Sequence, residues 1–309
     1  MRSEEGSSRP SAVTVGTFDG VHRGHRLVLD RLAAAAKSRD LRAILVTFEP
    51  HPLAVVNPKA APPLLSVSDE KTEALASTGL DEVSVVPFTK ALASYEAEQF
   101  VDLVLLQRFG MKELFIGHDH GFGRGRTGDV NVLERLGKAR GFDVHVVPPV
   151  AGRDGKPVSS TSIRRAIAGG DLARAADGLG RPYSIAGRVV RGDARGSQLG
   201  FRTVNLGEPA PEKLLPPDGV YAVNAHTPAG KFGGMMNLGG RPTFGDERRT
   251  IEAHLFDAEG EWYGERVRLD FVARIRDIRR FSGPEELVRQ LRRDEESART
   301  ILARRRAGL

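Results

Sequence analysis

Two histidines three residues apart, His22 and His25, stand in the stretch "VTVGTFDGVHRGHR" (Val13 to Arg26), flanked by Gly20 and Gly24. Glycines let backbone approach a ligand closely, and the free N–H groups of a helix start favour anions, phosphate above all. Imidazoles placed there can donate hydrogen bonds to charge developing on a phosphorus centre. Three plainer readings compete. The histidines could cap the helix or fill core positions. They could bind a metal, although the chain has no Cys and few carboxylates nearby. The glycines could be turn punctuation only. No G-x-x-x-x-G-K-[ST] occurs, so a phosphate site here lacks the lysine of a P-loop.

A second stretch raises the same chemistry. In "GDARGSQLGFRTVNL" (Gly192 to Leu206), Gly192, Gly196 and Gly200 make a loop able to wrap phosphates. Thr203 and Asn205 alternate on the strand that follows, so both face one side. A hydroxyl and an amide carbonyl are hard oxygen donors suited to Mg²⁺. The alternative is a glycine-rich barrel corner with two ordinary polar strand residues. A third stretch, "GRGRTG" (Gly123 to Gly128), fits the dinucleotide fingerprint but does not open directly from a strand, and Asp143 precedes the next strand instead of ending it. It is better read as an arginine-bearing loop near phosphates, with Arg126 facing them.

These stretches need elements to hold them. "AVTVGTF" reads as a strand and "HRLVLDRLAAAAKSRD" as a helix, with Leu29, Leu32, Ala33 and Ala36 on one face. "RAILVTF", "DEVSVVPF", "KELFIG" and "DVHVVPP" supply further strands, a polar helix starts near Ser68, and another spans 129–140. Ser94 is expected to cap "YEAEQFVDLVLLQRFG", which Gly110 ends. The alternation predicts βαβ units with a mostly parallel, doubly wound sheet, whose ligand lies beyond the carboxyl ends of the strands. From "YSIAGRVV" on, short strands separated by Gly, Pro and Asp predict a small antiparallel barrel or sandwich. A final helix follows, with Ser282 and Glu285 as its capping box and Leu287, Leu291, Ala298, Ile301 and Leu302 as its apolar stripe. The domain boundary is expected around Gly180, giving units 1–180 and 181–309.

With 309 residues and 40% hydrophobic content, the chain can bury a core in each unit. No window is apolar enough for a membrane span, and the N-terminus has no signal-peptide core. The absence of Cys excludes disulfides and thiol nucleophiles and suits a reducing compartment. Of the net charge of +6, most comes from the last 36 residues, which hold 11 Arg against 6 acidic residues. That excess reads as a solvated helix face and not a nucleic-acid patch. The expectation is a cytoplasmic protein, monomeric or weakly homo-oligomeric, with no nucleic-acid or membrane partner.

"GTFDGVHRGH", "FIGHDHGFGRGRTGD" and "VSSTSIR" together resemble the adenylyltransferase module of bacterial bifunctional riboflavin kinase/FAD synthetases. His22, Gly24 and His25 match the H-x-G-H signature of the nucleotidyltransferase superfamily. The resemblance implies a Rossmann-like domain that adenylylates FMN with ATP. Gly16, Thr17, Phe18 and Gly24 would line the nucleotide beside His22 and His25. Asp119 takes the Asn/Asp position of the second motif, and Ser160, Thr161 and Arg164 match the S-S-T-x-x-R element facing the phosphates. His120 stands where an aromatic is usual, and Thr17 where Asn is common.

"GFRTVN" (Gly200 to Asn205) is similar to the riboflavin kinase signature G-x-P-T-A-N, with Arg202 and Val204 at the proline and alanine positions. The similarity continues through "GVYAV" and "MNLGGRPTFGDERRTIEAHLFD". It implies Mg²⁺ and ATP at Thr203 and Asn205, Glu252 as the base for the riboflavin 5′-hydroxyl, and Arg241 and Phe244 beside the flavin. Riboflavin, FMN and ATP are then the small-molecule partners. Two other readings remain at this level: a nucleotidyltransferase for another phosphorylated acceptor, which leaves the barrel unexplained, and a flavin-binding regulator with a decayed kinase, suggested by Arg202.

Overall fold

The strand–helix alternation of the first half folds as a five-stranded parallel sheet. Its strands are β1 (Ser11–Val15), β2 (Arg42–Glu49), β3 (Glu82–Pro87), β4 (Met111–Gly117) and β5 (Asp143–Val147), in the order β3-β2-β1-β4-β5. The structure is a computed structural model and describes residues 9–192, 200–241 and 246–306. All five residues of β1 are buried, as befits a central strand covered on both faces. Helix α1 (Arg23–Ser38) packs Val28, Leu29, Leu32 and Ala36 onto one face of the sheet. Short helices α2 (Pro52–Val56), α3 (Ser68–Leu75), α4 (Lys90–Ala93) and α5 (Ala97–Phe100) follow, and α6 (Val130–Arg140) leads to β5.

Around Ser94 the chain departs from expectation. Ser94 ends α4, and its hydroxyl donates back to the Ala91 carbonyl at 2.7 Å. The next helix is capped instead by Glu96, whose N–H donates to Gln99 Oε1 at 3.0 Å. The helix then widens into a π segment, Val101–Leu106, with Val101, Val104 and Leu105 turned into the core.

The chain packs as two compact units, Met1–Ser160 and Thr161–Leu309. This division lies before the texture change at Gly180, where a left-handed glycine (φ 72°) ends α8 (Leu172–Leu179). Helix α7 (Ser160–Ala168) begins at the division, and α8 packs on the barrel that follows.

That barrel is closed, so the sandwich alternative does not hold. Its strands are β6 (Ser184–Val190), β7 (Thr203–Leu206), β8 (Gly219–Thr227), β9 (Gly230–Arg241), β10 (Asp246–Leu255) and β11 (Arg266–Arg276), in the order β10-β7-β6-β11-β8-β9. Every pairing is antiparallel. The last helix, α9 (Pro284–Arg306), lays Val288, Leu291, Ala298, Ile301 and Leu302 against Phe201, Met235, Phe256 and Val272. Buried Asp294 accepts from Arg276 Nε and Nη2 (3.0 and 2.7 Å) and from Gln290 Nε2 (2.7 Å), which pins the helix to β11. Its start is capped by Glu286, not Glu285. Pro284 sets the first helical position, so the N3 carboxylate is that of Glu286, which accepts from the Ser282 N–H and hydroxyl at 2.9 and 2.8 Å.

Candidate active sites

The sheet order reverses between β1 and β4, so loops leaving these neighbouring strands border the crevice in which doubly wound folds bind ligands. The loop after β1 carries His22. Within it Phe18 and Val21 have positive φ (47° and 40°), conformations uncommon for such residues, and both side chains are buried. The loop is held by Asp19, 3% exposed, whose carboxylate accepts from Leu65 N (2.9 Å) and Ser66 N (3.0 Å). Gly20 N donates to Ser66 Oγ at 3.0 Å, and Gly16 N to the Val46 carbonyl at 3.0 Å. Thr17 contributes its carbonyl to Thr47 Oγ1 at 3.3 Å.

His22 is the N-cap of α1, with Nδ1 accepting from the His25 N–H at 3.2 Å. That bond assigns the proton of a neutral His22 to Nε2. The two imidazoles stack at 3.5 Å and 16°, and Phe18 lies against His25 at 4.6 Å. Gly24 makes room for the stack, because a Cβ there would stand 3.1 Å from the His22 ring. The capping role is thus real, and the same geometry aligns two imidazoles at a helix N-terminus suited to anions. Among the described residues no group of three or more His, Cys, Asp or Glu is gathered as a metal site.

The second and third motifs reach this site unequally. Ser160 Oγ donates to the Asp19 carbonyl at 3.0 Å, which ties the start of α7 to the histidine loop. Thr161 and Arg164 follow in α7 and belong to the second compact unit. Asp119 follows β4, next to β1 in the sheet, with its side chain 80% exposed. Two of the three glycines of "GRGRTG" serve packing: a Cβ on Gly123 would meet Ala97 N at 2.7 Å, and one on Gly128 would meet Ala97 Cβ at 2.8 Å, whereas one on Gly125 would meet nothing within 4 Å. Arg124 pairs with Glu96 at 2.9 Å, and Arg126 lies in a 3₁₀ turn, its side chain outside the described residues.

Sequence reasoning missed Asp19 and, on α3, Lys71. The ammonium of Lys71 donates to Thr47 Oγ1 at 2.6 Å. Burial pushes its pKa down to about 8, opposed by the charges of Asp19 and Glu49. Lys71 lies in none of the motif stretches, and Asp19, although inside "GTFDGVHRGH", takes its role as Lys71 does from contacts across 24 to 47 positions of sequence.

In the barrel, register builds the second site. Glu252 lies opposite Asn205 of β7 on one side and Asn237 of β9 on the other, and His254 lies opposite Thr203. These residues share the outer face, since Ile251, Ala253, Met236 and Leu238 fill the interior between them. Thr250 Oγ1 lies 3.2 Å from both Glu252 Oε1 and the Gly239 carbonyl. Gly192 packs against the Asn205 amide, where a Cβ would stand 2.3 Å from Nδ2. Gly200 takes φ 83°, a left-handed turn that admits glycine readily. Arg202 pairs with Glu261 at 3.1 Å while its carbonyl meets His254 Nδ1 at 2.7 Å. Gly196 and Phe244 lie outside the described residues. Arg241 ends β9, and its side chain is likewise outside them. Asn237 was not singled out from sequence, since only strand register brings it beside Glu252.

Comparison with known proteins covers nearly the whole chain. A family model described as FAD synthetase matches residues 4–162, and one described as riboflavin kinase matches residues 179–302. A protein of Escherichia coli (strain K12) named bifunctional riboflavin kinase/FMN adenylyltransferase is 38% identical over 288 residues, covering 93% of this chain and 91% of its own. One of the same name from Pseudomonas fluorescens is 36% identical, covering 96% and 94%. A crystal structure from Streptococcus pneumoniae, titled a macrolide-efflux protein, superposes with a TM-score of 0.84 at 32% identity, covering 95% of each chain. Among the described residues no helix is long and apolar enough to cross a membrane.

Proposed function

Because the chain belongs to the bifunctional riboflavin kinase/FMN adenylyltransferase family and carries both regions, we propose that its two sites divide the family's two reactions between them. Riboflavin is phosphorylated by ATP to FMN, and FMN is adenylylated by a second ATP to FAD with release of pyrophosphate. The single observation that supports this division is the presence, in one chain, of a stacked histidine pair at a helix start and a carboxylate set opposite Asn205 on the barrel.

In the adenylyl-transfer site, an FMN phosphate oxygen attacks the α-phosphorus of ATP, and the bond to pyrophosphate breaks in line. No covalent enzyme intermediate is needed. His22, through Nε2–H, and His25 donate to the charge that grows on the phosphoryl oxygens, and the start of α1 adds its dipole. Gly16, Thr17, Phe18 and Gly24 shape the loop, while Ser160 and Asp119 supply polar contacts to nucleotide and phosphates.

In the barrel, Glu252 accepts the proton of the riboflavin 5′-hydroxyl as that oxygen attacks the γ-phosphorus and ADP leaves. Gly192 and Gly200 give the phosphates backbone to lie against. The donors present fit Mg²⁺: Thr203 and Asn205 offer a hydroxyl and an amide oxygen on one strand face, and Gly192 leaves the backbone close beside them. Bound there, Mg²⁺ would neutralise phosphate charge. We place the protein in the cytoplasm, since a chain without Cys that consumes ATP twice suits that compartment.

The test is incubation of purified protein with riboflavin, ATP and Mg²⁺, with FMN and FAD resolved over time, and in parallel with Glu252→Gln. FMN should appear first and FAD after it. The variant should lose FMN formation yet still convert supplied FMN to FAD. Failure to form either product from riboflavin and ATP, with the fold intact, would overturn the proposal.

A further inference from the structure

Lys71 projects from α3 to the carboxyl end of β2, where it donates to Thr47 Oγ1 at 2.6 Å. Thr47, 1% exposed, lies 3.3 Å from the Thr17 carbonyl in the loop that leads to His22. Two hydrogen bonds therefore connect this amine to the histidine loop. The same loop and the segment leading into α3 are fastened together by Asp19, whose carboxylate accepts from Leu65 N and Ser66 N. The charged groups felt by Lys71 are Asp19 and Glu49, and together they do not offset its desolvation, for its pKa falls to about 8.

A partly buried ammonium in that condition is a poor structural device, because an apolar side chain of similar length avoids the desolvation penalty. Additional negative charge would complete its environment, and the reaction proposed for this unit brings phosphates to the same end of the sheet. Sequence motifs did not point to this residue, as it lies in none of the three stretches that carry the family resemblance.

We propose that Lys71 is a phosphate-contacting residue of adenylyl transfer, its ammonium moving from Thr47 onto a phosphate oxygen of a bound substrate. The phosphate belongs either to ATP or to FMN. This role rests on the reading of the first unit as the adenylyltransferase.

Steady-state FAD formation, with ATP and FMN varied separately, should be measured for Lys71→Met and Lys71→Arg beside wild type and His25→Ala. Lys71→Met should raise one Michaelis constant by about tenfold, equivalent to about 1.4 kcal/mol, and Lys71→Arg should restore it to within ~threefold. A rise for ATP identifies the nucleotide, and a rise for FMN the flavin phosphate. Both constants staying within ~twofold of wild type, or a loss confined to kcat, would overturn the contact. A second measurement does not depend on the variant folding: acylation of Lys71 in the unaltered protein, read by mass spectrometry, should be suppressed by saturating ATP or FMN. Equal labelling with and without both substrates would also overturn the proposal. Wild type that makes no FAD would instead sink the adenylyltransferase reading. Active wild type with slow His25→Ala and normal Lys71→Met sinks only the role of Lys71.

Discussion

His22 and His25 are joined twice: the His25 N–H donates to Nδ1 of His22 at 3.2 Å, and their rings stack at 3.5 Å. One side chain thus caps the helix that presents the other. Replacing His25 by Ala keeps the capping bond, which uses only backbone of that residue, and removes one donor. FAD formation should slow by on the order of 10²–10³-fold, the usual effect of losing one preorganised donor. FMN formation from riboflavin should stay near normal, since it occurs in the other unit. Parallel loss of both activities with the fold intact would contradict the assignment of this site.

Gly192 offers the sharpest test of the barrel. A Cβ there would stand 2.3 Å from the Asn205 amide nitrogen, so Gly192→Ala forces Asn205 or the loop to shift. Small displacements of positioning groups cost up to about 10²-fold in rate. The kinase rate should fall at least about tenfold, with conversion of supplied FMN to FAD unchanged. Kinase kinetics equal to wild type would show that Asn205 does not position the nucleotide.

Arg202 stands where the resembling signature has proline, and in the structure it pairs with Glu261. Both side chains are more than half exposed, so the pair contributes little to stability. Arg202→Pro should therefore leave the kinase Michaelis constant for ATP within ~threefold, or lower it slightly by stiffening the strand entry. A tenfold rise, about 1.4 kcal/mol of lost binding, would make Arg202 a phosphate ligand.

Lys71 also links pH to stability. Its pKa is about 8 in the folded chain against 10.5 for an ordinary lysine. Between these values the unfolded chain holds a proton that the folded chain has released, so this residue makes stability rise with pH across that window. Lys71→Met removes the rise. The melting temperature of the variant should exceed that of wild type most clearly at pH 7, and the gap should narrow by pH 10. A gap that is constant with pH would show that the amine is not desolvated.

Much of this architecture is legible in the residues themselves. β1, β2 and β4 announce themselves as apolar runs because a parallel sheet is buried on both faces. The barrel strands are visible as evenly spaced short runs, but closure is not, since it requires β10 to pair with β7, distant in sequence, as well as with its neighbour β9. Ser94 does not cap the following helix, because its hydroxyl donates back to a nearby carbonyl, that of Ala91. Glu285 and Glu286 are both plausible partners of Ser282 until Pro284 fixes the first helical position. In the sites, spacing singles out His22, His25 and the Thr203–Asn205 alternation, and the family resemblance supplies the roles proposed for them. Asp19, Lys71 and Asn237 stayed silent, since each acquires its meaning from a partner on another element.

The two sites differ in how they are anchored, and hydrogen exchange should expose it. Glu252 rides on a strand laddered to neighbours on both sides within a closed barrel. Its amide can exchange only when the ladder opens, which requires a large cooperative unit of the barrel to come apart. The histidine loop is fastened by a handful of bonds that its Thr17, Asp19 and Gly20 make with Thr47, Leu65 and Ser66, and can open locally while the sheet stays whole. One site is thereby cast into its scaffold, and the other is tied onto it.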